Sequence, residues 1–436
     1  MLYRYDFRYT IAKLHCDTAL RLNFHKMVIT GRKENVSKRR PVIFAPNHRN
    51  ALIDALLVVY ASYHMKQVVF LARADIFKQK LIAWLLRGMR IMPVFRIRDG
   101  KDNLDKNNET FNNAARILKG NNTLAIFPEG VHNPKQSLLP IGKAVPRIIL
   151  PTEASTGFTL NSQIVPVSIY YRDIFGFLSD VYVTFGTPIE IHAYRDLYYK
   201  NPVQAVNALR QELEERLQSM VVNIRNEAYY EAYRLAIDWN GDRLAEELYK
   251  GRKDDFLQAS LHIVRELDRL QEQDQIAFEA KMARFREAVT LMKEEGLRST
   301  DRLWKPKSSA ELRSRAAALL LTTPVMLFGF LNGIFPILIQ KKLQTLFKDK
   351  QFVASVRYAA GLIFVPLFDL LQSLAVRFIT GEWLPALAYF LLMPATFYFA
   401  LYWRKWWKQL QRDRKVQRFA TEKPEQWKRL LALIRL

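Results

Sequence analysis

Three apolar stretches, Ala316 to Ile339, Tyr358 to Val376 and Leu384 to Trp403, dominate the last part of this chain. Each approaches the roughly 20 residues a helix needs to cross a hydrocarbon core about 30 Å thick, and soluble core helices are rarely so long and apolar. They predict a membrane-resident protein. Basic residues border them: Lys341, Lys342, Lys348 and Lys350 follow the first, and Arg404, Lys405, Trp406, Trp407 and Lys408 close the third with an aromatic and cationic edge. Three full crossings would put that edge on the opposite side from Arg313 and Arg315, whereas the bias of Lys and Arg toward the cytoplasm wants both on one side. One stretch is therefore expected not to cross. The first holds Pro324, Gly329, Gly333 and Pro336, and the second Pro366, Asp369 and Gln372, residue types found in re-entrant, broken or interfacial segments. Asp369 is read as a protein-facing polar contact.

A net charge of +24 implies an anionic partner, whether nucleic acid, an anionic membrane face or phosphorylated substrates. No zinc motif or RNA-binding signature accompanies the charge, which argues against nucleic acid. Cys16 is the sole cysteine, which excludes an internal disulfide framework and a cysteine-rich metal site. As a nucleophile it has no supporting motif. The opening residues mix Arg4, Asp6, Arg8, Lys13, Asp17, Arg21 and Lys26 with aromatic and aliphatic residues, so no apolar stretch of signal-peptide type is present and the amino end is expected not to be exported. Residues 1–40 read as an interfacial helix or a helix packed on the domain.

Residues 41–200 alternate short β-rich runs with helical stretches, the pattern of an α/β layer architecture. Strands are predicted at Val42 to Ala45, Gln67 to Leu71, Ile91 to Phe95, Thr123 to Phe127, Gln163 to Ile169 and Val181 to Phe185, with helices at Asp54 to His64, Phe77 to Leu86, Asn107 to Lys119 and Lys143 to Leu150. Over residues 201–312 the composition turns to Glu, Gln, Arg, Leu and Ala at helical spacing, a helical domain with a solvated charged face. Residues 313–436 form a membrane anchor of two or three hydrophobic segments with a basic tail.

The residues suited to chemistry lie at the carboxyl ends of the predicted strands. In APNHRNALIDALL, Asn47, His48 and Asp54 follow one strand and open a helix. A histidine at such a turn is placed to abstract a proton, and a nearby carboxylate would hold its ring in the productive tautomer. Six positions separate the two, more than one helical turn, so the backbone must bend between them. The plainer reading is a surface histidine beside an N-terminal helical carboxylate. In GMRIMPVFRIR, with Gly88, Pro93 and Val94, alternate Arg96 and Arg98 point to one face of a strand, and guanidinium groups suit a phosphate; a basic surface strand is the alternative. In FPEGVHNPK, Phe127 to Gly130 end a strand: the glycine permits close backbone approach, Glu129 can accept hydrogen bonds, and His132, Lys135 and Lys143 add donors. Val165, Pro166 and Val167 form a fourth, weaker block inside a buried strand.

At these residues the chain resembles the PlsC-type glycerolipid acyltransferase family, whose blocks run as a His/Asp motif, a glycine-to-arginine strand, an FPEG motif and a proline-centred strand. All four occur here in that order before residue 170, and FPEG is matched letter for letter. The resemblance implies a mixed sheet flanked by helices, His48 as general base on an acceptor hydroxyl with Asp54 as its catalytic partner, and substrate contacts from Asn47, Arg96, Arg98, Glu129, Gly130, Lys135 and Lys143. The family usually has four residues between histidine and aspartate; here five intervene, Asn50 stands where serine is common, and Val131 and His132 replace the threonine and arginine that often follow FPEG. The added residue resembles the fungal glycerol-3-phosphate and dihydroxyacetone-phosphate acyltransferase branch.

The reaction so implied moves a fatty acyl group from a thioester to a hydroxyl of glycerol-3-phosphate or 1-acylglycerol-3-phosphate. It needs no metal or organic cofactor; acyl-CoA or acyl-carrier protein would serve as cosubstrate, and membrane lipids and a phosphate-bearing acceptor are the expected partners, with the catalytic domain on the cytoplasmic face. A lipid hydrolase and a non-catalytic membrane-binding scaffold are the rival readings. No GxSxG elbow surrounds any serine, which disfavours the first.

Overall fold

The computed structural model of the chain describes residues 7–62, 67–78, 80, 83, 87–94, 105–346 and 353–436. It divides into two compact units, one comprising Met1–Asn223 with Asp349–Ser355, the other Ile224–Lys348 with Val356–Leu436.

The first unit is built on an eight-stranded sheet of β1 (Phe24–Thr30), β2 (Val42–Pro46), β3 (Val68–Arg73), β4 (Ile91–Val94), β5 (Thr123–Ala125), β6 (Gln163–Tyr171), β7 (Ser179–Phe185) and β8 (Ile189–Glu190). Their order is β1-β7-β6-β2-β5-β3-β4, with β8 beside the start of β6. β6, β2, β5, β3 and β4 are mutually parallel, whereas β7 and β8 run antiparallel to β6 and β1 follows β7. The sheet is therefore mixed. β2 and β6 are buried along their whole length, which is why they read as unbroken apolar runs rather than alternating ones. Helices α1 (Phe7–Asn23), α2 (Ala51–Ala61), α3 (Asp105–Lys119), α4 (Ala144–Ala154) and α5 (Pro202–Met220) flank it. Ile117 and Leu118 of α3, Ile148 and Ile149 of α4, and Leu209 and Leu213 of α5 join Ile43, Val69, Leu124 and Ile164 in one core. In α5 the buried Ala205, Leu209, Leu213 and Leu217 recur every fourth residue and so share a face. The boundary between units thus falls after Asn223, one helix later than the change in composition near residue 201.

The opening region is more than a helix. α1 buries Leu20 and leaves Phe7, Ile11 and Leu14 exposed along one side, and the chain then enters β1, which pairs in parallel with β7. Much of the helix expected from Phe77 to Leu86 lies outside the described residues.

The second unit is helical: α6 (Tyr230–Leu248), α7 (Asp255–Gln273), α8 (Gln275–Glu294), α9 (Ser309–Asn332), α10 (Ile334–Thr345), α11 (Val353–Thr380), α12 (Trp383–Glu422) and α13 (Pro424–Ile434). α9, α11 and α12 are long and apolar enough to cross a membrane. α9 and α12 run antiparallel. At one end Arg315 pairs with Asp413 at 3.1 Å, midway Trp403 Nε1 donates to the Leu319 carbonyl at 3.0 Å, and at the other end Tyr389 Oη donates to Asn332 Oδ1 at 2.7 Å. The basic residues that open α9 and those that follow the apolar part of α12 therefore share one end, which removes the parity conflict. α10 and α11 make the excursion between: Phe335 stacks on Phe368, Gly361 lies beside Gln340, and Gln372 returns to donate to the Asn332 carbonyl. Gly333 is the break in the first apolar stretch, ending α9 and preceding α10, while Gly329 lies within α9, and both face α12. A Cβ on Gly329 would stand 2.0 Å from the Thr396 carbonyl oxygen, and one on Gly333 would strike the Phe397 ring. Asp369 is buried within α11.

Candidate active site

Because β2, β5, β3 and β4 are parallel, their carboxyl ends lie along one edge of the sheet, the edge at which open α/β sheets bind ligands. β2 delivers Asn47 and His48 there, and the residues after β5 deliver Phe127 to Gly130 alongside.

Asn47 lengthens the ladder between β2 and β6. Its N–H donates to the Val167 carbonyl at 3.2 Å, and its side chain both accepts from the Ile169 N–H at 2.7 Å and donates to the Ile169 carbonyl at 3.2 Å. Expected among the substrate contacts, it spends both groups of its side chain on strand backbone. Beyond it the chain turns sharply and α2 begins at Ala51, whose φ of 28° marks the bend that the spacing required. Asp54 consequently sits in the first turn of α2 and faces back. Its Oδ2 accepts from the N–H groups of Arg49 and Asn50, each at 2.6 Å, and contacts His48 Nδ1 at 2.8 Å. The Tyr171 hydroxyl donates to Oδ1. The Asp54 side chain is wholly buried and that of His48 is 15 % exposed. A carboxylate only accepts, so Nδ1 carries the hydrogen, and in the neutral ring Nε2 keeps its lone pair. Burial and the adjacent Asp54 charge push the Tyr171 hydroxyl well above its ordinary range, so Tyr171 remains a donor.

The FPEG segment clamps the histidine turn. Glu129 Oε1 accepts from the His48 N–H at 2.6 Å and Oε2 from the Leu139 N–H at 2.9 Å, while the His48 carbonyl accepts from the Asn133 N–H at 2.8 Å. Arg49 Nη2 donates to the Pro134 carbonyl at 2.7 Å. Burial pushes the Glu129 carboxyl up to about 7, against the pull of its two amide donors. The Phe127 ring lies on the His48 ring with centroids 3.9 Å apart, and His132 approaches edge-on at 5.6 Å. Gly130 has φ +69° with open space where a Cβ would stand, so the turn's conformation, not crowding, calls for glycine.

Lys135 and Lys143 are exposed, Lys143 immediately before α4. Arg96 and Arg98 lie outside the described residues; β4, which leads to them, ends at Val94. Pro166 and Val167 act through their carbonyls, which accept from Gly186 and Asn47. Cys16 is half-buried in α1. Among the described residues no group of three or more His, Cys, Asp or Glu is arranged to hold a metal. Sequence reasoning gave no role to Tyr171, Phe127, Arg49 or Asn133. The signal for Tyr171 was its position in β6, where Val167, Ile169 and Tyr171, every second residue, all engage the histidine turn.

Residues 28–170 match the family model described as Acyltransferase, a span that contains all four sequence blocks. The chain carries an acyltransferase domain. A search of curated proteins finds no match. Among solved structures the chain is similar to the 1-acyl-sn-glycerophosphate (LPA) acyltransferase PlsC from Thermotoga maritima, with 20 % identity over 48 % of this chain and 78 % of that one and a TM-score of 0.33. The matched span ends within β6, and α5 and the helices of the second unit lie outside it.

Proposed function

We propose that this acyltransferase transfers a fatty acyl group from an acyl thioester to a hydroxyl of glycerol-3-phosphate or 1-acylglycerol-3-phosphate. The observation that carries the reading is the contact of His48 Nδ1 with a wholly buried Asp54 at 2.8 Å, inside the span that matches the family. Nε2 of His48 takes the proton of the acceptor hydroxyl as its oxygen attacks the thioester carbonyl. The tetrahedral oxyanion collapses, the C–S bond breaks, and the departing thiolate takes the proton back from His48. Asp54 orients the ring and stabilises the imidazolium, as in a catalytic triad whose nucleophile belongs to the substrate. Glu129 and Gly130 shape the site through the turn they hold, and Arg96, Arg98, Lys135 and Lys143 are the proposed ligands of the acceptor phosphate.

No step calls for a metal or organic cofactor. Acyl-CoA and acyl-carrier protein are both anionic and both suit a chain of net charge +24. The added residue between His48 and Asp54 supports a place in the fungal glycerol-3-phosphate acyltransferase branch. α9 and α12 hold the protein in the bilayer with the acyltransferase domain on the cytoplasmic face, where α1 lays Phe7, Ile11 and Leu14 on the lipid surface. The test is transfer from a labelled acyl thioester to glycerol-3-phosphate and, separately, to lysophosphatidate. Product from one acceptor that disappears in His48→Ala supports the mechanism and names the acceptor; equal product from the variant rejects it, and free fatty acid without acyl transfer favours the hydrolase.

A further inference from the structure

α12 does not stop where its apolar part ends. It runs without a break from Trp383 to Glu422, and Arg404, Lys408 and Arg412 follow the apolar part at i, i+4 and i+8, on one face over about 12 Å. The loop after α8 lies along this part of the helix: Glu295 pairs with Lys423 at 2.6 Å, and a Cβ on Gly296 would stand 3.5 Å from Lys415 Nζ. That loop brings a fourth cation, Arg298. The Lys408 ammonium is pulled down first by Arg404, then by burial, then by Arg412 and Arg298, so the four positive groups crowd one another. None of the four side chains has an ion-pair or hydrogen-bond partner among the described residues. Of the nearby carboxylates, Asp413 is committed to Arg315, and Asp301 is buried, accepts from the Arg298 N–H at 2.8 Å and, as one charge against four, offsets Arg412 and Arg298 only in part. Trp406 and Trp407, 48 % and 38 % exposed, stand on the same turns.

Four positive groups gathered at one place attract an anion more strongly than any one of them alone. Their position, one turn past an apolar run that spans about 30 Å and next to half-exposed tryptophans, fixes the depth at which that anion lies. We propose that Arg298, Arg404, Lys408 and Arg412 form a binding site for the phosphate of an anionic phospholipid in the surrounding bilayer, separate from the acyl-transfer site. The proposal rests on α12 being a membrane span.

The experiment is a titration of the full chain in detergent with phosphatidylglycerol, with phosphatidylcholine and with inorganic phosphate, read as saturable binding by native mass spectrometry. Phosphatidylglycerol is expected to bind and phosphatidylcholine not. Arg404→Gln/Lys408→Gln/Arg412→Gln is expected to weaken binding about a hundred-fold, each charge contributing about five-fold. Arg298→Gln alone, expected at about five-fold, carries the test should the triple variant misfold. Lys428→Gln, an exposed side chain on α13, should change nothing. Equal affinity for phosphatidylcholine, unchanged binding in both variants, or occupancy by inorganic phosphate to the exclusion of the lipid would overturn the assignment. A chain that stays monodisperse without detergent would instead reject α12 as a span.

Discussion

His48 is held by its backbone as firmly as by its ring. Replacing Asp54 by Asn keeps the volume but sets an amide where Nδ1–H and two backbone N–H groups need an acceptor, so kcat is expected to fall on the order of 10³-fold or more with KM little changed. Tyr171→Phe strips one donor from a buried carboxylate; a loss of about 1–2 kcal/mol in thermal unfolding and a smaller fall in kcat than in Asp54→Asn are expected. Equal kcat losses in the two variants would place Tyr171 in direct contact with the reaction. Glu129 makes a prediction in pH. Its folded value of about 7 lies above the ordinary 4.5, so the folded protein holds this proton more tightly than the unfolded chain. Stability conferred by this group therefore falls as pH rises from about 4.5 through about 7 and then levels off. Thermal melts across that window should lose this slope in Glu129→Gln, and a slope that persists would assign it to another group. The types and order of His48, Asp54 and Glu129 were legible because they sit in short contiguous motifs. That Glu129 would cap two amides was not, since the carboxylate's partners are 81 residues away in one direction and 10 in the other.

At the scale of elements, strands buried on both faces announced themselves: β2, β3, β5, β6 and β7 were legible as apolar runs. β1 was hidden because His25 and Lys26 at its start are exposed, which interrupts any period. β8, of two residues, is too short to carry a pattern. The break expected within the stretch from Ala316 to Ile339 falls at Gly333, between α9 and α10, whereas Gly329 lies inside α9 and serves to bring two membrane helices together. Gly329→Ala should push α9 from α12 and cost about 1–3 kcal/mol, seen as a lower melting midpoint in detergent. An unchanged midpoint would mean that the two helices do not pack this closely.

At the scale of the whole molecule, the antiparallel pairing of α9 and α12 makes a topological prediction. With Cys16 replaced by serine, single cysteines introduced by Arg313→Cys and Gln411→Cys should react with a membrane-impermeant thiol reagent from the same side of sealed vesicles. Reaction from opposite sides would require an odd number of crossings between them. The contacts that set His48 span long stretches of chain: 81 residues to Glu129, 122 from Asn47 to Ile169, and 117 from Asp54 to Tyr171. During synthesis, then, His48 and Asp54 leave the ribosome long before Glu129 and Tyr171, which hold the pair in place. A polypeptide stalled or truncated ahead of Tyr171 would carry the reactive side chain without its scaffold, and such a fragment should be unable to squander thioesters on water while the rest of the protein is still being made.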